Sequence, residues 1–260
     1  MIRYIASDLD GTLLQGGAQS LNPEIFDLIL QLKKRNIHFI AASGRPYRSL
    51  RHLFEPVKDD ISYVAENGSL CIHNNQIVSR GLIERNLGLR IINAAKEFPD
   101  YHLLLSCESS IYTDSHNAEF FDHLRSVLKF DVTEVDDLQT ITEPFLKFAI
   151  CDFNGTAELE SQFCKRFSSE IKIVTSGNIW IDFIAPNANK ATGIEAIAKL
   201  LGFSAKDGIA FGDQFNDIEM LKSAGTSYAM STCAPGVEKY ADFQTDSVEK
   251  VLREIILGTE

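Results

Sequence analysis

The apolar positions of this 260-residue chain follow one rhythm at its two ends and another in its middle. Near the start, Ile2, Tyr4, Ile5 and Ala6 form a short apolar run closed by Asp8, Leu9, Asp10, Gly11 and Thr12, which reads as a buried strand ended by a glycine turn. In LNPEIFDLILQLKKRN, Ile25, Leu28, Ile29 and Leu32 share one helical face, Asn22 is placed to cap and Pro23 suits the first helical position. A second run, Ile37 with Phe39, Ile40, Ala41 and Ala42, ends at Ser43 and Gly44. A third, Ile61, Tyr63, Val64 and Ala65, ends at Glu66, Asn67 and Gly68. Strand alternating with helix predicts a right-handed parallel α/β sheet.

The middle reads differently. GLRIINAAKEF has helical spacing, YHLLLS and SIYTD have strand spacing, and HNAEFFDHLRSVLKF reads as an amphipathic helix. FLKFAICDF, EIKIVTS and WIDFIA read as strands around a helix near Glu158 to Phe167. Short turns between strands predict an antiparallel sheet with helices on one face. The first rhythm then resumes with the helix KATGIEAIAKLLG, the strand GIAFGD, the helix NDIEMLKSAG and the strand SYAM. The expected organisation is a Rossmann-like core, residues 1–83 and 186–260, interrupted by an inserted α+β domain, residues 84–185.

Composition narrows the partners. The chain is 45% hydrophobic and 23% charged, as globular proteins are, and no apolar stretch approaches the roughly 18 residues of a membrane helix. Its net charge of −11 argues against nucleic acid or an anionic membrane surface as a partner. An anionic substrate then requires local positive charge at its site. Five cysteines without a CxxC pair suggest neither a zinc site nor a disulfide framework, and read as free thiols. The first strand begins too early for a leader peptide, so a cytoplasmic protein is expected. No obligate protein partner is implied.

Two carboxylates two positions apart at a strand end, Asp8 and Asp10, suit phosphoryl transfer: one attacks phosphorus and the other moves a proton, provided a cation offsets their charge. Three further clusters supply the missing parts. Ser43 and Gly44 offer a hydroxyl and an unobstructed N–H to phosphate oxygens. Lys190, at a helix start, offers a mobile point charge. Asp213, in GDQFND after the strand IAFG, offers a third carboxylate that with Asp8 is able to hold Mg²⁺. Each has an ordinary explanation in isolation: DxDG as a turn, SG as a loop pair, a solvated lysine, and Asn216 with Asp217 as a helix cap. Their conjunction, in order at strand ends and a helix start, favours the chemistry.

On these motifs the chain resembles the haloacid dehalogenase-like superfamily, and within it the Cof-type phosphatases with a large α/β cap inserted after the second motif. DLDGT looks like motif one, SGR at Ser43 to Arg45 like motif two, Lys190 in NANKATG like motif three and GDQFND like motif four; an ENG turn at Glu66 to Gly68 and an AM step at Ala229 and Met230 extend the likeness. The resemblance implies Asp8 as the nucleophile that becomes an aspartyl-phosphate and Asp10 as the general acid and base. It implies Mg²⁺ held by Asp8, the Asp10 carbonyl and Asp213, with Asp217 ordering the lysine or the metal waters. Phosphate or substrate contacts fall to Leu9, Thr12, Ser43, Gly44, Arg45, Lys190 and Asn216. The insert would close as a lid and read the leaving group. The chain departs from the family pattern in having Ala191 after the lysine and no glycine before the last helix; neither touches a reacting group. The expected function is a phosphatase acting on a small phosphorylated metabolite. A phosphomutase and a non-catalytic binding protein on the same fold are the alternatives.

Overall fold

The computed structural model describes residues 2–98, 101–176 and 179–258. The chain divides into two compact units, Met1–Ser79 with Asn189–Glu260, and Arg80–Ala188. The first carries β1 (Tyr4–Ser7), α1 (Glu24–Lys34), β2 (His38–Ala42), α2 (Tyr47–Leu53), β3 (Ser62–Ala65), β4 (Leu70–His73) and β5 (Gln76–Arg80). The insert follows with α3 (Arg85–Ala95), β6 (His102–Ser106), β7 (Ile111–Thr113), α4 (Ala118–Asp122), β8 (Val132–Glu134), β9 (Lys147–Cys151), α5 (Ala157–Phe167), β10 (Lys172–Ser176) and β11 (Trp180–Ile184). The first unit then resumes with α6 (Lys190–Leu200), β12 (Gly208–Gly212), α7 (Ile218–Ser223), β13 (Thr226–Met230), β14 (Phe243–Thr245) and α8 (Val248–Leu257).

Among the described residues the first unit forms an eight-stranded sheet in the order β14-β13-β12-β1-β2-β3-β4-β5. The strands from β14 to β3 are parallel, as their alternation with helices requires. β4 adds antiparallel to β3, and Asn74 and Asn75, both at positive φ, turn the chain into β5. The sheet is therefore parallel through its centre and mixed at one edge. Strand order reverses direction at β1, and that is where an open α/β sheet leaves a crevice beyond its carboxyl ends. Tyr4, Ala6, Ile40, Ala42, Val64 and Ala210 pack one sheet face against Ile194, Ile197 and Ala198 of α6 and Met220 and Leu221 of α7. Gly193 lets α6 come close, since a Cβ there would lie 2.6 Å from Val64 Cγ1 and 2.7 Å from Cys71 Sγ. α1 and α8 bury Ile25, Leu28, Ile29 and Leu32, and Val248, Val251, Leu252 and Ile255.

Two local expectations change. Pro23 is the residue flanking α1, at φ −54°, and Asn22 instead accepts the Glu24 N–H at 3.1 Å through Oδ1. The stretch from His116 to Phe130 is not one regular helix: α4 gives way to a π-helical turn, His123–Val127, and Lys129 takes a positive φ.

The insert is a sheet in the order β10-β11-β9-β6-β7-β8, antiparallel except for the parallel β7–β8 pair. Helices cover both faces rather than one. Leu103 and Leu105 of β6 pack in the cluster formed with Ile91 and Ile92 of α3 and Phe163 of α5, whereas Leu104 packs with Phe120 and Leu124 on the opposite side. The five cysteines are free thiols, Cys71, Cys107 and Cys151 buried and Cys164 and Cys233 partly exposed. Among the described residues no helix is long and apolar enough to cross a membrane.

Candidate active site

β1, β2 and β12 are neighbours, so their carboxyl ends bring three segments side by side. Register sets them level: Ser7 pairs with Ala41 on one side and Phe211 on the other, and the Asp8 N–H donates to the Phe211 carbonyl at 2.9 Å. Asp8 therefore leaves β1 between Ser43 and Asp213. Gly11, at φ 89°, then folds the loop back, and a Cβ at that position would collide with the Asp213 carboxylate, its Cγ only 2.7 Å away. Glycine is what lets residues 8–12 and 213 share one small volume.

Lys190 enters from above the sheet as the first residue of α6. Asn189 caps that helix by accepting the Thr192 N–H, and the Thr192 hydroxyl in turn accepts the Asn189 N–H. The cap fixes where the lysine starts, and its side chain, with only 1% of its surface exposed, ends between two carboxylates. Nζ lies 2.5 Å from Asp8 Oδ1 and 2.5 Å from Asp217 Oδ1. The other Asp217 oxygen accepts the N–H groups of Asp213 and Gln214, each at 2.9 Å. Thr12 Oγ1 donates to Asp213 Oδ1 at 2.8 Å.

Asp8, Asp213 and Asp217 offer oxygens within 4.8 Å of one another, and all three are buried. Of these three carboxyls, the Lys190 ammonium contacts two, Asp8 and Asp217. Burial, then the Asp217 charge, push the Asp8 carboxyl well above the usual carboxylate range; Lys190 opposes this and Asp213 adds to it. Burial likewise raises Asp213, against the hydrogen bond from Thr12. For Lys190, burial works against the charge, yet the Asp217 and Asp8 carboxylates more than offset it and hold the proton above the ordinary lysine range. The site is a pocket of excess negative charge on buried oxygens, the electrostatic setting a small hard cation relieves.

The remaining expected residues lie around this cluster. Leu9 is buried. Ser43 is buried, and its Oγ accepts the Arg45 N–H at 3.0 Å. Gly44 lies against the Asn67 side chain. Asn216 reaches across to the same side chain, its Nδ2 donating to Asn67 Oδ1 at 3.0 Å. Arg45 grips Asp10 with both arms of its fork, Nε to Oδ2 at 2.9 Å and Nη2 to Oδ1 at 2.6 Å, while the Asp10 side chain is 53% exposed at the rim. Thr12 and Arg45 thus hold carboxylates of the cluster and its rim. Asn67 carried a visible signal, the ENG turn, but sequence reasoning gave it no task.

Comparison with known proteins agrees with this geometry. Residues 5–255 match the model of the haloacid dehalogenase-like hydrolases. The chain is 28% identical, over 97% of each sequence, to 5-amino-6-(5-phospho-D-ribitylamino)uracil phosphatase YbjI of Escherichia coli. The crystal structure of SMU.1108c from Streptococcus mutans is similar with a TM-score of 0.87 at 29% identity, covering 99% of this chain and 100% of that one. The HAD subclass IIB sugar phosphatase BT4131 shares the fold, with a TM-score of 0.84 at 19% identity over 97% of this chain and 98% of its own. The four motif segments, gathered at the carboxyl ends of three adjacent strands and the start of one helix, belong to an enzyme of the Cof-type haloacid dehalogenase-like hydrolases.

Proposed function

We propose that this enzyme hydrolyses small phosphate monoesters through an aspartyl-phosphate formed on Asp8, with Mg²⁺ as its cofactor. The observation that carries the reading is the buried Asp8–Lys190–Asp217 array with Asp213 beside it. A carboxylate held within 2.5 Å of a fixed ammonium has a defined direction of attack, and that same ammonium is placed to meet phosphate oxygens.

The donor set fits the metal. Both Asp217 oxygens are committed to Lys190 and to backbone N–H groups, which leaves Asp8 and Asp213 as the carboxylates for a cation, joined in this reading by the Asp10 carbonyl. When bound, Mg²⁺ would offset the carboxylate charge and polarise a phosphate oxygen. Asp217 orients Lys190, and Thr12 orients Asp213.

In the first step an Asp8 oxygen bonds to phosphorus as the bond to the leaving oxygen breaks, and Asp10 gives that oxygen a proton. In the second, Asp10 takes a proton from water, the water oxygen bonds to phosphorus, and the Asp8–phosphorus bond breaks to release inorganic phosphate. Ser43, the Gly44 N–H, Lys190 and the Leu9 backbone surround the transferring group, whose charge is highest at the transition state. Arg45 must release Asp10, or rotate with it, for the proton transfers to occur. The E. coli relative is named for a phosphorylated metabolite, and substrates of that size class are proposed for this chain.

The test is a screen of phosphorylated metabolites with wild type and Asp8→Asn, with and without Mg²⁺. Phosphate release that needs both Asp8 and the metal is expected. Release that survives the substitution removes Asp8 from the reaction, and isomerisation of a sugar phosphate without release replaces hydrolysis by a mutase reaction.

A further inference from the structure

The turn that closes β3 takes no part in the steps above, yet it is built unlike any ordinary loop. Glu66, Asn67 and Gly68 are all buried and all have positive φ, 50°, 55° and 94°. Asn and Gly enter the left-handed region readily, as Asn74 and Asn75 do in an exposed turn, but a buried Glu there is uncommon and is held by its surroundings. Here the surroundings are the candidate site itself. The Glu66 N–H donates to the Arg45 carbonyl at 3.1 Å and the Asn67 N–H to the Ser43 carbonyl at 3.0 Å. The Asn67 amide fills the space beside Gly44, where a Cβ would lie 3.2 Å from Nδ2 and 3.3 Å from Oδ1. Its Oδ1 accepts from Asn216 Nδ2 at 3.0 Å. Gly68 approaches the backbone of Asn189, whose carbonyl carbon would be 2.6 Å from a Cβ at position 68.

Sheet order makes one of these contacts special. β12 is separated from β3 by β1 and β2, so no backbone ladder ties the loop after β12 to the turn after β3. The Asn67–Asn216 bond crosses that interval, past the strand ends that carry Asp8 and Ser43. We infer that Asn67 is a positioning residue for the phosphate site: through Gly44 on one side and Asn216 on the other, it sets the spacing between the phosphate cradle and the Asp213–Asp217 loop. The inference rests on the phosphatase reading and adds to it a residue to which that reading gives no chemical step.

Asn67→Gly tests it, because glycine keeps the left-handed backbone and removes only the amide. The expected result is an unfolding midpoint close to that of wild type with kcat/KM for a phosphate ester lowered about 10- to 100-fold, the scale of a small misplacement of reacting groups. Asn216→Ala, which leaves the turn untouched, should lose a similar factor. The double variant should be no worse than the weaker single variant, within about twofold, since both remove one interaction. Full activity in Asn67→Gly, or losses that multiply in the double variant, overturns the inference while leaving the phosphatase reading in place. If Asn67→Gly does not fold, Asn67→Asp, which keeps the acceptor for Asn216, is measured instead: retention of the Asn216→Ala coupling supports the inference and its absence overturns it. If the wild type releases phosphate from no ester, the functional reading falls, and titration of inorganic phosphate into wild type and Asn67→Gly decides. Binding weakened about tenfold or more supports the positioning role; equal affinity, or no binding by either, overturns it.

Discussion

Lys190→Met isolates the electrostatics of the site, because methionine keeps much of the side chain's length and none of its charge. In the wild type one buried ammonium serves Asp8 and Asp217, each at 2.5 Å. Removing it leaves buried carboxylates without a counterion, a change that costs about 3–5 kcal/mol when one member of a buried pair is lost. The protein can limit that cost by protonating a carboxyl, and the limit is calculable. Holding an aspartate neutral at pH 7, against an unperturbed value of about 3.9, costs about 4 kcal/mol, and at pH 5 only about 1.5 kcal/mol. The variant should therefore be less stable than wild type by about 3–4 kcal/mol at pH 7 and by about 1–2 kcal/mol at pH 5. The sign follows from linkage. A carboxyl whose folded pKa is raised binds more protons folded than unfolded, so its stability contribution is present at low pH and lost as pH rises. Asp8, already raised by burial and by Asp217, is the group expected to take the proton. Urea unfolding of both proteins at the two pH values, in EDTA so that no divalent ion substitutes for the ammonium, measures the difference. A destabilisation below about 1 kcal/mol at pH 7, or one equal at both pH values, would refute the reasoning.

Asp213→Asn removes a proposed metal carboxylate while keeping the acceptor for Thr12, and the Mg²⁺ concentration for half-maximal phosphate release should rise about tenfold or more, read from a metal titration. Gly11→Ala places a methyl group against the Asp213 carboxylate at a φ of 89°, so a stability loss of about 1–3 kcal/mol in urea and near-complete loss of activity are expected. His38, pushed down to about 4 by burial, by His73 and by Lys33, stays neutral in the folded chain while an unfolded histidine titrates near 6.5. The unfolded state then binds more protons between those values, so stability is full above pH 6.5 and falls by up to about 3 kcal/mol as pH drops to 4. A His38→Gln variant should lack that component, and an identical pH profile in wild type and variant excludes it.

Much of the candidate site was legible because its residues stand where hydrophobic runs stop. Asp8, Ser43 and Asp213 each close an apolar strand, and strand ends are what alternation and glycine mark most clearly. Lys190 was legible from the helix that follows it, although the carboxylates that flank it lie 182 and 27 positions away. Asn67 was legible only as part of a turn: the Asn-Gly pair marks a left-handed bend, but its partner Asn216 lies 149 positions away and no local pattern encodes that contact. β8 and β14 are three residues long and, unlike the equally short β7 in SIYTD, lie in no run that reads as a strand. The π-helical turn after α4 escaped for a different reason. Phe120, Leu124 and Leu128 keep a four-residue spacing that reads as regular helix, while the Leu128 N–H reaches back to the His123 carbonyl. Pattern reports which side chains are buried, and leaves the size of the backbone ring open.

The central strand of the core sheet has a consequence for how the protein is made. β1 pairs with β2, which follows it closely, and with β12, which is synthesised only after the whole of Arg80–Ala188. Until residues 208–212 leave the ribosome, one edge of β1 has no partner, and Asp8 has neither Lys190 nor Asp213 beside it. Pairings this distant in sequence are the slow ones. The nascent chain therefore carries an open parallel strand edge through most of its synthesis, the kind of edge that invites association with other chains. The same wait leaves Asp8, the nucleophile of the proposed reaction, without Lys190 and Asp213 until residues 190–213 have been made.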